Sequence, residues 1–430
     1  MKFRVKALRD ELAVEYIYDT ATSKVWDETG SLFSFDGLIG PKFYKDVERK
    51  HLPFSRQDNP NKKVKEVELL EVFLGYKCNL NCQYCSQKPH RDSKVNHGAN
   101  PAKAKEFVQL LRETGIQPRR IQIWGGEPLV YWKTFKVLVE ELRALYSDDS
   151  KVWISFPTNA TLLTDEIVDF CLKYHCKPIV SYDGNDDARN SKLFTDPEIL
   201  RLLKRLQDAD KNWPLGFGVT PSPKNCDIKA ILKVFQECGF EMSSIGLHNI
   251  ARCHESNDLN QRIACKFSDE ELRKYSDDVF EICNERDRYK TALPPRCDSF
   301  VRSIIESLSI DTVRAECNLP FGEGLCVGLD GTVYLCHNHA TVDTAQGNLR
   351  NGLESIEALG YQYWKNKKRC RECPFIHSCK GGCPSADDIA NELACPNLKA
   401  LHWGLFRASF AAIFGIYVTE IVPMEETDEI

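Results

Sequence analysis

The chain has 430 residues, 42% of them hydrophobic, and a net charge of −5. That length exceeds one ordinary core, so two or three domains are expected, and the charge supplies no overall pull toward nucleic acid. The N-terminal residues carry no apolar h-region, and the longest apolar stretch, 410–422, falls short of the roughly 20 residues that span a bilayer. A soluble, cytoplasmic protein with neither a membrane nor a nucleic-acid partner is expected. Its 19 cysteines then stand out. Cytosolic thiols stay reduced, so clustered cysteines point to metal or redox chemistry rather than a disulfide framework.

In chain order, residues 1–65 read as a small separate unit. Alternation over 14–18, turn residues at 19–23 and resumed alternation at 24–26 predict a hairpin. A strand–helix alternation follows. Strands are expected at 67–74, 120–124, 152–156, 178–182, 215–220 and 244–248. Helices are expected at 102–113, 131–145, 199–206 and after Thr164 and Asp227, which read as N-caps. Six units in this order imply a parallel sheet, here a partial (β/α)6 TIM-like barrel of the α/β class, with reactive groups at the C-terminal ends of the strands. Helical stretches at 269–284 and 298–308 close this part, and a boundary is placed at 310. Residues 311–397 are short, cysteine-rich segments, and 398–430 read as a helix and tail. Basic runs at 61–65 and 365–369 read as solvated surface.

Three motifs carry chemistry. Cys78, Cys82 and Cys85 form CxxxCxxC directly after the first strand of the alternation. Three thiolates on a short loop suit three irons of a [4Fe–4S] cube, leaving the fourth iron open; a structural zinc site asks for four ligands. Trp124-Gly125-Gly126-Glu127-Pro128 ends the next strand. The third set is Cys317, Cys326, Cys336, Cys370, Cys373, Cys379, Cys383 and Cys395, with Gly331 between Cys317 and Cys336 and Gly381-Gly382 before Cys383. Eight thiolates suffice for two further clusters, and a pair of zinc knuckles is the alternative.

Together these motifs resemble the radical S-adenosylmethionine (SAM) enzymes with a C-terminal SPASM domain, over residues 66–397. The resemblance implies three [4Fe–4S] clusters. Cys78, Cys82 and Cys85 would hold the SAM-binding one, Cys317, Cys326, Cys336 and Cys383 auxiliary cluster I, and Cys370, Cys373, Cys379 and Cys395 auxiliary cluster II. It places SAM against Tyr84, Gly125, Gly126, Glu127, Pro128, Asn159, Ser181 and Arg189, with Glu127 complementing the SAM ammonium. It implies cleavage of SAM to a 5′-deoxyadenosyl radical, with the cofactor supplying the difficult step. The implied substrate is a ribosomally made precursor peptide, crosslinked through C–C or thioether bonds. Maturation of a folded protein, as in anaerobic sulfatase maturation, and peptide epimerisation are the other enzyme readings; a zinc-stabilised interaction protein is the non-catalytic one. A flavodoxin or ferredoxin is the implied electron donor. Of the remaining cysteines, Cys253 and Cys265 follow the sixth strand, and Cys253 is a candidate hydrogen-atom donor. Residues 1–65 are a candidate leader-peptide binder by strand addition.

Overall fold

A computed structural model describes residues 1–33, 64, 66–91, 98–147, 151–184, 193–209, 215–247, 251, 259–289, 291, 293–313, 317, 323–357 and 363–425. Arg189 and Cys253 lie outside the described residues.

Strands β1 (Lys2–Arg9), β2 (Leu12–Asp19) and β3 (Lys24–Trp26) form the expected hairpin and its extension. The alternating burial of β1 presents Phe3, Val5 and Ala7 to one side, as a half-buried strand requires. Six strands then run parallel: β4 (Leu69–Phe73), β5 (Arg120–Trp124), β6 (Trp153–Thr158), β7 (Cys176–Ser181), β8 (Gly216–Val219) and β9 (Ile245–Leu247). Between them lie helices α1 (Pro101–Thr114), α2 (Trp132–Leu145), α3 (Asp165–Lys173), α4 (Pro197–Ala209) and α5 (Ile228–Glu237). Local sequence sets their ends. Thr164 Oγ1 accepts from Ile167 N at 3.3 Å, and Asp227 Oδ1 accepts from Ala230 N at 2.9 Å. Gly115, left-handed at φ 68°, closes α1, as C-terminal glycines commonly do.

Helices α6 (Leu259–Ala264), α7 (Asp269–Asn284) and α8 (Leu293–Ile305) follow, then β10 (Gly324–Gly328), β11 (Thr332–Tyr334) and β12 (Ala345–Asn348). The chain ends with the long helix α9 (Asp388–Phe414) and β13 (Tyr417–Pro423). Among the described residues no helix is long and apolar enough to cross a membrane.

The large sheet has nine strands among the described residues, in the order β12-β11-β10-β4-β5-β6-β7-β8-β9. The six expected units are present in sequence order, and the sheet is open, with β9 at one edge and β12 at the other. The sequence places a boundary at 310, yet β10 pairs in parallel with β4, Gly324 opposite Leu69. The cysteine-rich segment therefore begins by extending the same sheet. Likewise β13 pairs antiparallel with β1, giving a small sheet ordered β13-β1-β2-β3. The N-terminal hairpin thus does not stand apart. Tyr18 packs against Phe300 of α8 and against Phe406 and Phe410 of α9. Each fully buried ring of this kind contributes about 1.5–3 kcal/mol, enough to hold the hairpin to the chain's last helix.

Candidate functional site

The C-terminal ends of β4 to β8 open into a cavity of about 600 Å³. Its lining brings together Cys78, Cys82 and Cys85, the Gly125-Gly126-Glu127 turn, Asn159, Ser181, and Cys317, Cys336 and Cys383. These come from seven separate stretches of chain, and convergence at this end of the strands is what the strand order predicts.

Backbone hydrogen bonds stitch the three-cysteine loop to the turn after β5. Gly126 N donates to Gly75 O at 2.9 Å and Glu127 N to Lys77 O at 2.9 Å, and the Tyr131 hydroxyl accepts from Lys77 N at 2.9 Å. The loops lie so close that a Cβ on Gly126 would sit 2.4 Å from Tyr76 O and 2.5 Å from Lys77 O. A third loop joins through Asn159, whose side-chain amide donates to Asn79 Oδ1 at 2.9 Å, while Asn79 Nδ2 donates to Thr161 Oγ1 at 2.8 Å. Tyr84 lines the cavity and its hydroxyl donates to the buried Asp183. Asp183 Oδ1 also accepts from Thr220 N at 2.7 Å, so one carboxylate ties the cysteine loop to the ends of β7 and β8.

Glu127 lines the cavity and is held from within the chain. Its Oε1 accepts from Thr158 Oγ1 at 2.8 Å and Leu129 N at 3.1 Å, and its Oε2 accepts from Asn159 N at 2.7 Å. The side chain is 1% exposed, and it clamps β5 to β6. Its distance from water makes those bonds costly to lose. Glu127→Ala is expected to destabilise the fold by about 2–3 kcal/mol in urea unfolding, with Glu127→Gln recovering part of the loss.

Three lining residues carry no signature in the motifs. Glu71, on β4, accepts or shares a proton with His337 across 2.7 Å between Oε2 and Nδ1. His337 stacks on Trp124, ring centroids 3.6 Å apart and planes 12° from parallel. Arg91 donates to Leu80 O at 2.6 Å and reaches the Cys85 sulfur at 3.8 Å. Glu71 had a signal, being a charge within an otherwise apolar strand; His337 and Arg91 had only their nearness to cysteines.

The eight C-terminal cysteines separate into two places. Cys326 and Cys336 are buried on and after the β10–β11 hairpin, and Cys317 packs with them. Cys336 also senses the charge of Cys383. Cys370, Cys373, Cys379 and Cys395 line a second, smaller cavity of about 50 Å³. The turn Lys380-Gly381-Gly382 between Cys379 and Cys383 has all three residues at positive φ, 57°, 84° and 80°, which is why two of them are glycine.

These sets fit iron–sulfur clusters. Burial pushes the Cys326 and Cys336 thiols well above their ordinary range and Cys373 up to about 11, so thiolates there need bound cations as counter-charge. Sulfurs already accept hydrogen bonds: Leu80 N donates to Cys78 Sγ and Asn338 N to Cys336 Sγ, both at 3.4 Å. Among the described residues, no three His, Cys, Asp or Glu side chains converge as ligands of a single metal ion.

Comparison with known proteins agrees with this geometry. Residues 72–213 match the family model of the Radical SAM superfamily. The chain is 23% identical over 337 residues to the radical SAM cyclopropyl synthase TigE of Paramaledivibacter caminithermalis, covering 75% of this chain and 68% of that one. It is 21% identical over 342 residues to the serine-type anaerobic sulfatase-maturating enzyme of Bacteroides thetaiotaomicron, covering 72% and 81%. The fold is shared with native anSMEcpe with bound AdoMet, at a TM-score of 0.59 and 18% identity over 81% of this chain and 98% of that chain. It is likewise shared with the same protein bound to AdoMet and the Cp18Cys peptide, at a TM-score of 0.57. With the three-cysteine loop, the Gly-Gly-Glu-Pro turn and the strand ends facing one cavity, residues 72–213 are what the Radical SAM superfamily model matches.

Proposed function

We propose that the protein is a radical SAM maturase that modifies a ribosomally made peptide, forming a C–C or thioether crosslink. The observation that carries this reading is the single cavity shared by the three-cysteine loop and by Cys317, Cys336 and Cys383. A substrate held there lies between a site for SAM and a second cluster site. In this reading Cys78, Cys82 and Cys85 hold the SAM-binding cluster. Cys317, Cys326, Cys336 and Cys383 hold auxiliary cluster I, and Cys370, Cys373, Cys379 and Cys395 hold auxiliary cluster II. Bound there, SAM and its cluster would supply a 5′-deoxyadenosyl radical that removes a substrate hydrogen atom. The chain's own residues orient the reactants and exclude water. Gly125 and Gly126 let backbone approach the cysteine loop, Asn159 and Ser181 offer polar groups from the strand ends, and the Trp124–His337 stack walls the side toward the cysteine-rich segment.

A peptide substrate is supported by the Cp18Cys peptide bound to anSMEcpe, and bond formation between carbons by the name of the cyclopropyl synthase relative. The sulfatase-maturating relative keeps modification of a folded protein as the second reading. Strand addition of a leader peptide has β13 as the open edge among the described residues, because β1 and β2 are paired on both sides and β3 is bridged to Leu32 and Phe33. Deleting residues 1–65 would strip β13 of its partner, so charge or proline substitutions on β13 probe that idea more cleanly.

The deciding experiment is iron and zinc content of anaerobically reconstituted protein, with 5′-deoxyadenosine measured after dithionite and SAM. About twelve irons per chain, as three clusters of four, with 5′-deoxyadenosine formed, is the expected result. Adding the precursor peptide should then yield a product lighter by hydrogens lost at the new bond. Zinc in place of iron, or intact SAM, would overturn the assignment.

A further inference from the structure

The two C-terminal cysteine sets are walled by opposite charge. At the first, β10 pairs with β4 so that Cys326 lies directly opposite Glu71, a carboxylate only 4% exposed. Glu71 also lines the large cavity with Cys317, Cys336 and Cys383. At the second, Arg369 and Lys399 line the cavity of about 50 Å³ together with the four cysteines, and no Asp or Glu among the described residues lines it. Arg369 is held in place from outside. It pairs with Glu392 at 2.9 Å and donates to Asp388 O at 3.2 Å. Glu392, Asp388 and Glu372 are all exposed, so water and salt screen their charge. The guanidinium that Glu392 fixes lies in the cavity wall, where screening is weaker.

The thiols register the difference. Burial pushes Cys326, Cys336, Cys370 and Cys373 all upward. Beyond burial, the Glu71 carboxylate pushes Cys326 and Cys336 further up. Lys367 and Arg369 instead draw Cys370 back down, and the Phe375 N–H and Lys399 do the same for Cys373. The two sites also adjoin. Gly382 lines both cavities, and Asn391, in the wall of the second, donates to Cys383 O at 3.1 Å.

An iron–sulfur cluster gains negative charge when it is reduced. A fixed cation beside it favours that gain and a fixed anion opposes it, and net charge is one of the protein's levers on cluster potential. We infer that Arg369 and Lys399 hold the reduction potential of the cluster at Cys370, Cys373, Cys379 and Cys395 above that of the cluster beside Glu71. The inference rests on the two auxiliary clusters proposed above and adds their order. Of one electron shared between the adjoining sites, the larger fraction then rests at the second, away from the large cavity.

The test is a potentiometric titration of the anaerobically reconstituted full chain, followed by electron paramagnetic resonance. Two auxiliary midpoints are expected, and the SAM-binding cluster is told apart because its signal changes when SAM is added. The double variant Arg369→Gln/Lys399→Gln should lower the higher midpoint and leave the lower one in place. The expected shift is about tenfold in the reduction equilibrium, about 59 mV for one electron. Arg369→Lys/Lys399→Arg keeps both charges and should keep both midpoints, which separates charge from packing. Lys399→Gln alone, at an exposed position, should shift the same midpoint downward by less, so the test stands even where loss of the Arg369 ties loosens the turn. Iron content serves as the control. Midpoints unmoved in both charge-removing variants, equal shifts in the charge-keeping pair, or a shift confined to the lower midpoint overturn the inference and leave the cluster reading intact. Zinc or no iron in the wild-type chain overturns the cluster reading itself, and the inference with it.

Discussion

Replacing Cys78, Cys82 and Cys85 together with alanine is expected to abolish SAM cleavage while leaving about eight irons per chain, the content of two clusters of four. The expectation follows from how the cysteines are carried. The three sit on a loop leaving β4, held by hydrogen bonds from Asn79 and Lys77 to the neighbouring loops. None of those bonds involves a thiol, so the loop keeps its place without them. Of the eight others, Cys317 precedes β10, and the rest belong to the β10–β11 hairpin and the turn after it, the segment 370–383 and α9. Cys317, Cys336 and Cys383 share a cavity with the loop but are not built from it, and Cys370, Cys373, Cys379 and Cys395 line another. Iron analysis with the absorbance near the cluster bands checks this, alongside 5′-deoxyadenosine measured by chromatography. Loss of all iron in the variant would show that the auxiliary sites depend on the first one.

The second large effect is expected at Gly126. Alanine there places a methyl group 2.4 Å and 2.5 Å from two backbone carbonyl oxygens, those of Tyr76 and Lys77. Backbone cannot swing aside as a flexible side chain can, so the turn after β5 and the cysteine loop must separate. That movement also loosens the bonds Gly126 N to Gly75 O and Glu127 N to Lys77 O. Gly126→Ala should therefore reduce SAM cleavage at least about 100-fold, since reacting groups displaced by an ångström lose that much. Gly125→Ala should be milder, because its added carbon would meet Gly75 O at 3.2 Å. Both variants should keep the iron at Cys370, Cys373, Cys379 and Cys395, whose cavity lies elsewhere. Equal activity in Gly126→Ala and wild type would mean that the two loops move freely against each other.

How much of this was legible beforehand depends on the range over which each feature is encoded. The cysteine motifs are local: spacing within 78–85 and 370–383 decides which thiols can share a loop, and chemistry does the rest. The strand–helix order was legible for the same reason, since apolar periodicity, the caps Thr164 and Asp227 and the stop at Gly115 are read within a few residues. Glu127 was legible as a site residue, but its partners within the chain were not. A carboxylate beside glycines looks ready for an ammonium, and only the arrival of Thr158 and Asn159 at 2.8 Å and 2.7 Å shows what it binds in the chain.

The sequence by itself determined the superfamily chemistry, the six parallel units and the two groups of cysteines, because each depends on neighbours along the chain. Tertiary structure alone decided the rest. His337 meets Glu71 across 266 residues and stacks on Trp124. β13 pairs with β1 from the opposite end of the chain, and β10 joins the large sheet at β4. The basic run at 365–369 acquires its neighbours only when α9 packs alongside it. Such contacts are selected by burial and by backbone hydrogen bonds that must find partners once water is excluded. That selection acts on the whole folded chain, and a local stretch of sequence carries no trace of it.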